Sequence, residues 1–534
     1  MLSIKKQNEY DLLGWTYYYD SNNNPNYNKV YIHVEDGVIS SIFAVDSGYE
    51  PQGEIIEIPD YCTIFPGLID LHTHYEYNTI PIWERPYEEP WDNRHEWRMH
   101  SEYNKNIKDL YKTLLERWTQ LCMNKSDDEE LAKRKFLFLS EIQALAGGTT
   151  VLQEPFDIGD GDKPIITPHT ILRSTGVASD LGLKKKTYSI IDFYKPDVAK
   201  TDIKPNIDTQ DWKINLTDEY EEFLLNMLSG DSSDVNAYLV HLAEGRAGVL
   251  KPKGLNVDAY SKKEADRIMN VFAKCNPDVA NQVKLTLIHG CGIDVETYKE
   301  LIKKTGVGVV WSPVSNLILY EDTPDFYLYY KNKVIEKVCI GSDWSPSGSK
   351  HVWDEAKFAY KYLCKRFENI YSKTEIATDI FKMCTIYPAS IIGADKVGNI
   401  RQGGFADFFI VNTGDHMESK DNNVVEALFK TSDMDTHAII INGRVVYGDK
   451  EAFERFSEDY EYLPSSEQPS MGGKAILSMQ NVLGTSLDSM ITDLIQIFKD
   501  YSEEKQIDIQ KSKLLASNDA NYAFEIKKLV EKFC

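Results

Sequence analysis

Two histidines one residue apart close an apolar run, Thr63-Ile64-Phe65-Pro66-Gly67-Leu68-Ile69-Asp70-Leu71-His72-Thr73-His74. Alternate side chains of a strand leave the same face, so His72 and His74 can grip one metal ion together. The pair alone is a weak signal, because two polar residues at the end of a strand explain it as well. Its setting adds weight: a rigid strand after Pro66-Gly67 holds ligands in place better than a loop does.

Four more residues able to do chemistry follow other apolar runs. His241 and Glu244 stand in His241-Leu242-Ala243-Glu244-Gly245, His289 follows the run from Val283 to Ile288, and Asp343 follows Cys339-Ile340-Gly341-Ser342. Each has a plain structural explanation: a histidine after a strand is commonly a satisfied core residue, Glu244 can serve a helix N-terminus, and Asp343 a turn. As a set they suit Zn²⁺ or Fe²⁺, since neutral imidazoles with one carboxylate bind such ions, and a site that keeps an open position binds and acidifies water. Asp343, both ligand and neighbour, can accept that water's proton; Glu244, three residues beyond a ligand, can carry it to a substrate.

Residues so far apart in sequence converge only if strands deliver them to one face. Candidate strands at Thr149–Gln153, Thr187–Ile191, Val235–Val240, Val283–Ile288, Val307–Trp311 and Val338–Ile340 join the His72 strand, with helical stretches such as Asp218–Leu228 and Lys262–Lys274 between them. Strand and helix in alternation predict a parallel α/β fold, here an eight-stranded barrel with its chemistry where strands end and loops begin. Seven strands are placed in this way. The eighth is expected between Gly176 and Leu216, where the polar run Lys195 to Lys213 hides any period.

After His74 comes a long insertion, rich in Trp and Tyr up to Trp97 and then helical, with Leu110, Leu114, Leu115, Trp118 and Leu121 at core spacing. A second helix, about 130 to 146, stops at Gly147-Gly148. Trp83, Tyr87, Trp91, Trp97 and Trp344 can stack on a flat ring, although packing is the commoner use of such residues. His95 and His100 lie in the same insertion, and Ser315 and Asn316 shape a strand-end turn. Short strands mark both chain ends, with Asn442-Gly443 as a hairpin turn. A tail carrying Leu477, Val482, Leu483, Met490, Ile491, Leu494 and Phe498 reads as amphipathic helices after the loop Pro464 to Gly473.

Bulk properties narrow the partners. The chain of 534 residues carries a formal net charge of −24, which repels phosphate and argues against nucleic acid or an anionic membrane. There is no apolar leader at the start and no run of membrane-spanning length, so a cytoplasmic protein is expected. The eight cysteines are scattered without a Cys-x-x-Cys and read as reduced thiols.

Taken in order, Pro66-Gly67-Leu68-Ile69-Asp70-Leu71-His72-Thr73-His74, His241-Leu242-Ala243-Glu244, His289, Ser312-Pro313-Val314-Ser315-Asn316 and Gly341-Ser342-Asp343 resemble the amidohydrolase superfamily. Within it the chain is most similar to the metal-dependent deaminase and chlorohydrolase branch, of cytosine and guanine deaminase type. Gly398, Gly403-Gly404 and Ala406-Asp407 resemble the segment where that family's chain returns from the barrel to a small β-sandwich built by both ends.

The resemblance implies an α/β fold with a (β/α)8 TIM-like barrel over 63–392 and a composite β-sandwich from 1–62 and 393–462; the tail, read as a helical extension over 463–534, lies beyond the resemblance. It implies that His72, His74, His241 and Asp343 ligate one divalent metal ion, zinc first and iron second. His289 would lie beside the ion, a ligand in some members, and Lys184, Lys185 and Lys186 read as a solvated run with no metal-bridging role. The implied activity is hydrolysis of a non-peptide C–N bond, with deamination of an aminated aromatic heterocycle foremost. Asp343 would take a proton, Glu244 would protonate a ring nitrogen, and His289 would steady the tetrahedral centre. Cyclic amide hydrolysis or ring dehalogenation at the same site are the alternatives, and a non-catalytic barrel scaffold is the rival from another class. The expected partners are a small-molecule substrate and a second copy of the chain, as a dimer.

Overall fold

A computed structural model describes residues 9–80, 83, 88–157, 163–164, 169–190, 195–196, 214–215, 225–226, 235–250, 254, 256–274, 284–293, 298–300, 307–417, 423–463, 473–505 and 532. Tyr87, Cys275, Cys534, the helix expected over Asp218–Leu228 apart from positions 225 and 226, and the loop 464–472 lie outside them.

Both chain ends meet in one ten-stranded sheet. Its order runs Tyr460–Tyr462, Lys474–Leu477, Arg444–Asp449, Thr436–Ile441, Phe408–Asn412, Cys62–Pro66, Glu9–Tyr19, Pro25–Glu35 and Val38–Ala44, with Glu54–Glu57 also paired to Glu9–Tyr19. The seam is the antiparallel pairing of Cys62–Pro66 with Phe408–Asn412, where Phe65 faces Phe409. The expected hairpin forms between Thr436–Ile441 and Arg444–Asp449: Asn442 and Gly443 take φ of +57° and +79°, the sense of turn that matches strand twist. Lys474–Leu477 lies within the segment expected as a helical extension, yet it is a strand of this sheet. Four residues are too few to show a period.

Gly67 carries the chain out of that sheet. A Cβ there would lie 2.2 Å from Thr150 Oγ1, so only glycine allows the close approach that starts the next strand. Leu68–Asp70 pairs parallel with Thr149–Leu152, which pairs parallel with Arg173–Ser174. A second parallel sheet runs Lys186–Ile190, Val235–Leu242, Lys284–His289, Gly308–Trp311 and Val338–Ile340. Hydrogen bonds link the edges of the two sheets: Asp343 N–H to His72 O at 2.9 Å, His74 N–H to Asp343 O at 3.0 Å, and Thr187 N–H to Thr175 O at 3.1 Å.

One strand corrects the sequence reading. The eighth parallel strand among the described residues is Arg173–Ser174, ahead of the Gly176–Leu216 interval where it was expected. Two residues carry no alternation to read, and Arg173 is polar because its guanidinium is buried against Asp407, Nε to Oδ2 at 2.5 Å and Nη2 to Oδ1 at 2.9 Å. Within the interval, Lys195–Pro196 and Ile214–Asn215 pair antiparallel with each other, and 197–213 lie outside the described residues.

The insertion forms the helices Asp109–Asn124 and Glu129–Ala146, the first burying Leu110, Tyr111, Leu114, Trp118 and Cys122. Asp128 caps the second by accepting Leu131 N–H at 2.8 Å. The tail helix Leu487–Lys505 lies on Asp109–Asn124, held by Lys125 to Asp493 at 2.6 Å and by Arg117 to Glu504. Six described cysteines are unpaired, and no described helix is long and apolar enough to cross a membrane.

Candidate active site

The polar residues that follow the parallel strands gather in one place. His72 lies just past Leu68–Asp70, and its Nε2 is 2.8 Å from Asp343 Oδ1, beyond Val338–Ile340. The His72 ring is centred 4.6 Å from that of His241, 5.1 Å from His74 and 5.2 Å from His289. Ligand atoms of His72, His241 and His289 fall within 4.8 Å of one another, as do those of His72, His74 and Asp343. The five residues therefore sit around one point, with His72 common to both triads.

Tight local geometry puts them there. Ala243, His289 and Asp343 all take positive φ, +53°, +69° and +60°, a conformation that costs about 1–3 kcal/mol and persists only where the surroundings impose it. Asp70 braces the floor: it accepts His72 N–H at 3.1 Å and the Ser342 hydroxyl at 2.6 Å, tying the first strand to the last. Gly341 leaves room for His72, since a Cβ there would be 2.8 Å from His72 Cβ.

The donor set fits a divalent ion of the zinc type. His241 Nδ1 and both ring nitrogens of His289 are buried without a hydrogen bond, although buried polar atoms are otherwise nearly always paired. Burial, aided by the Arg94 charge, pushes His241 well below the ordinary histidine range, and burial also lowers His289. Both rings are thus held neutral, as ligation requires. Burial also opposes charge on Asp343, but His72, by its charge and its hydrogen bond, is foremost among the groups that outweigh it and hold the carboxyl far below the usual range, so it is an anion.

Glu244 sits beside this cluster. Its Oε2 is 3.5 Å from His289 Nε2 and 3.5 Å from Arg94 Nε, and its Oε1 accepts the Tyr320 hydroxyl at 2.6 Å. Burial, with the nearby Glu244 charge, raises the Tyr320 phenol well above its usual range and keeps it a donor. Trp97 Nε1–H in turn donates to the Tyr320 oxygen at 2.9 Å. The insertion is clamped to the Glu244 loop by Arg94 N–H to Glu244 O at 3.0 Å, by Arg246 N–H to Asp92 O at 2.9 Å, and by an antiparallel bridge between Asn93 and Gly245.

A cleft opens over these groups, lined by His74, Glu76, His241, Glu244 and Asp343 together with Trp97, Arg98, Tyr103 and Trp344. Trp97 and Trp344 stack with ring centres 5.4 Å apart and planes 14° from parallel. Trp83 and Trp91 pack behind this wall, His95 is taken up by Glu264 at 3.0 Å, and His100 accepts Glu102 N–H. Ser315 reaches the cleft and Asn316 lies buried on the adjoining helix.

Sequence reasoning passed over three participants: Gln153, Arg94 and Tyr320. Gln153 Oε1 lies 3.2 Å from His72 Nδ1 and accepts Thr73 N–H at 2.9 Å. Its place at the end of an apolar strand was the available signal. Tyr320 gave none, because it closes the apolar helix Pro313–Tyr320.

Residues 254–446 match the amidohydrolase family model. The chain is 27% identical over 175 residues to the 5-methylthioadenosine/S-adenosylhomocysteine deaminase of Halothermothrix orenii, a match that covers 32% of this chain and 40% of that protein. It is 20% identical over 440 residues to the 5'-deoxyadenosine deaminase of Methanococcus maripaludis, covering 78% and 90%. Its fold is similar to that of an adenosine deaminase from Xanthomonas campestris with bound zinc, with a TM-score of 0.52, 16% identity and coverage of 92% and 98%. Over residues 254–446, then, the chain is similar to the amidohydrolase family.

Proposed function

We propose that this protein is a metal-dependent hydrolase of non-peptide C–N bonds that deaminates an aminated heterocycle, an adenine nucleoside foremost. The observation that carries the reading is the meeting of four histidines and Asp343 around one point, with buried imidazole nitrogens left unpaired and Glu244 alongside. The deaminase relatives and the bound zinc of the Xanthomonas protein support it. In this reading His72, His74, His241 and Asp343 hold one divalent ion, zinc by preference, and His289 stands next to it.

Such an ion would supply a water molecule whose pKa is lowered toward ~7. The chain's own groups do the rest. Trp97 and Trp344 offer flat faces for a ring. Asp343, an anion with Oδ2 3.9 Å from His289 Nε2, accepts a proton from the attacking water. Glu244, with Oε1 occupied by Tyr320, presents Oε2 to a ring nitrogen and delivers a proton there. His289 donates toward the oxygen that becomes the carbonyl. Asp343 passes the proton it took to the exocyclic amino group, Glu244 recovers a proton from the new hydroxyl as the C=O forms, and the C–N bond breaks to release ammonia.

The proposal includes closure of the eight parallel strands into a (β/α)8 barrel, supported by the hydrogen bonds that link the two sheets, and reading of the ten-stranded sheet as the composite sandwich. It also takes in a cytoplasmic location, supported by the unpaired cysteines.

The test is release of ammonia from a panel of aminated purines, pyrimidines and their nucleosides by metal-loaded protein. At least one compound is expected to give ammonia, with His241→Ala and a chelated preparation inactive. No ammonia from any compound would remove the deaminase reading, and carboxylate or halide as product would move it to cyclic amide hydrolysis or dehalogenation.

A further inference from the structure

Glu76 stands two residues after His74 in the short helix Tyr75–Thr79, and it is completely buried. Both carboxylate oxygens are shut off from solvent and make no hydrogen bond. A buried carboxylate left in that condition carries a large desolvation penalty, so it calls for a donor close by. The Nδ1 atom of His74 is 3.6 Å from Glu76 Oε1, too far for a hydrogen bond as the rings stand and within reach of a small rotation of either side chain. Glu76 is also among the residues that line the cleft, so metal retention rather than KM alone separates a positioning role from a substrate contact.

The neighbouring histidine shows the same arrangement. His72 has the Gln153 amide oxygen 3.2 Å behind its Nδ1, while its Nε2 faces Asp343. Gln153 is held in turn by Ser189, to whose hydroxyl its amide donates at 2.8 Å. Each histidine of His72-Thr73-His74 thus has an acceptor near Nδ1, neutral for the first and carboxylate for the second. A ligating histidine typically donates its other ring N–H to such a group, which sets tautomer, orientation and basicity.

We propose that Glu76 is a positioning residue for the metal centre: it takes the Nδ1–H of His74 and so turns Nε2 toward the ion. This rests on the reading of His74 as a ligand. In this role the loss of Glu76 acts through His74, 3.6 Å away.

The experiment uses the full chain loaded with zinc and follows transfer of the metal to a chromophoric chelator, without substrate. Glu76→Leu is expected to release metal about 10–100-fold faster than the parent. Glu76→Gln keeps an acceptor oxygen with less change in shape, and is expected to lie between the two. Cobalt-loaded protein provides a second reading, since a reoriented His74 changes the visible absorption of the bound ion. Release and spectrum unchanged in both variants would overturn the proposal, as would unchanged release with a raised KM, which would make Glu76 a substrate contact. A parent chain that binds zinc firmly but yields no ammonia would remove the deaminase reading and leave this role testable by the same release rates. A parent that binds no metal would overturn both.

Discussion

Glu244 shows how a single residue depends on its supports. Three groups hold its carboxylate in place: the Tyr320 hydroxyl on one oxygen, with His289 and Arg94 near the other. In the proposed reaction it moves a proton and does not bind the ion. Glu244→Gln is therefore expected to lower kcat about 10²–10⁴-fold while metal content, read by elemental analysis, stays at the parent level. Loss of metal along with activity would instead make Glu244 part of the ion's support. His72, His74, His241, His289 and Asp343 were all legible at this scale, because each follows an apolar run. Arg94 and Tyr320 were not, because nothing local marks a residue whose partner is fixed by a distant loop.

At the scale of elements, the Arg173–Ser174 strand is the instructive case. Its period was invisible in two residues, and what places it is a long-range ion pair. Arg173 is buried against Asp407, which also accepts Asn442 N–H at 2.9 Å, and the guanidinium lies 3.8 Å from the centre of the Phe405 ring. One aspartate thus joins the parallel strands to the ten-stranded sheet. Asp407→Ala would leave a buried guanidinium unpaired and is expected to cost about 3–5 kcal/mol in denaturant unfolding. Asp407→Asn, which retains an acceptor for Asn442 N–H, is expected to cost less. Val235–Leu242 and Lys284–His289 were read from their mainly apolar sequence, and even Val338–Ile340 was legible because all three of its residues are apolar and buried.

For the whole molecule, stability should depend on pH through buried carboxyl groups outside the ligand set. Glu141, on the helix Glu129–Ala146, accepts the backbone N–H groups of Thr170, Ile171 and Leu172 and anchors the segment leading into the Arg173 strand. Burial outweighs those bonds and pushes its carboxyl from 4.5 up to about 7. Asp379 is raised by burial in the same way, to about 6. Between pH 4.5 and about 7 the folded chain holds the Glu141 proton more tightly than the unfolded chain does, so this group's contribution falls as pH rises through that window. Glu141→Gln carries no such proton. Its melting temperature, measured from pH 5 to 7, is expected to decline less steeply than the parent's.

His72-Thr73-His74 and the order of the later motifs determined the kind of chemistry, because the types of ligand and their places after apolar runs are local properties of the chain. Alternating strands and helices determined the class of fold for the same reason. Only the tertiary structure decided which residues stand behind the site. Gln153 near His72 and Tyr320 on Glu244 are pairings set by which loops meet above the strand ends. It also decided that the insertion after His74 supplies the aromatic wall through Trp97, while Trp91 is committed to packing behind it. Contacts across hundreds of residues leave no period or spacing in one sequence, since the chain meets them only after its strands have been brought side by side.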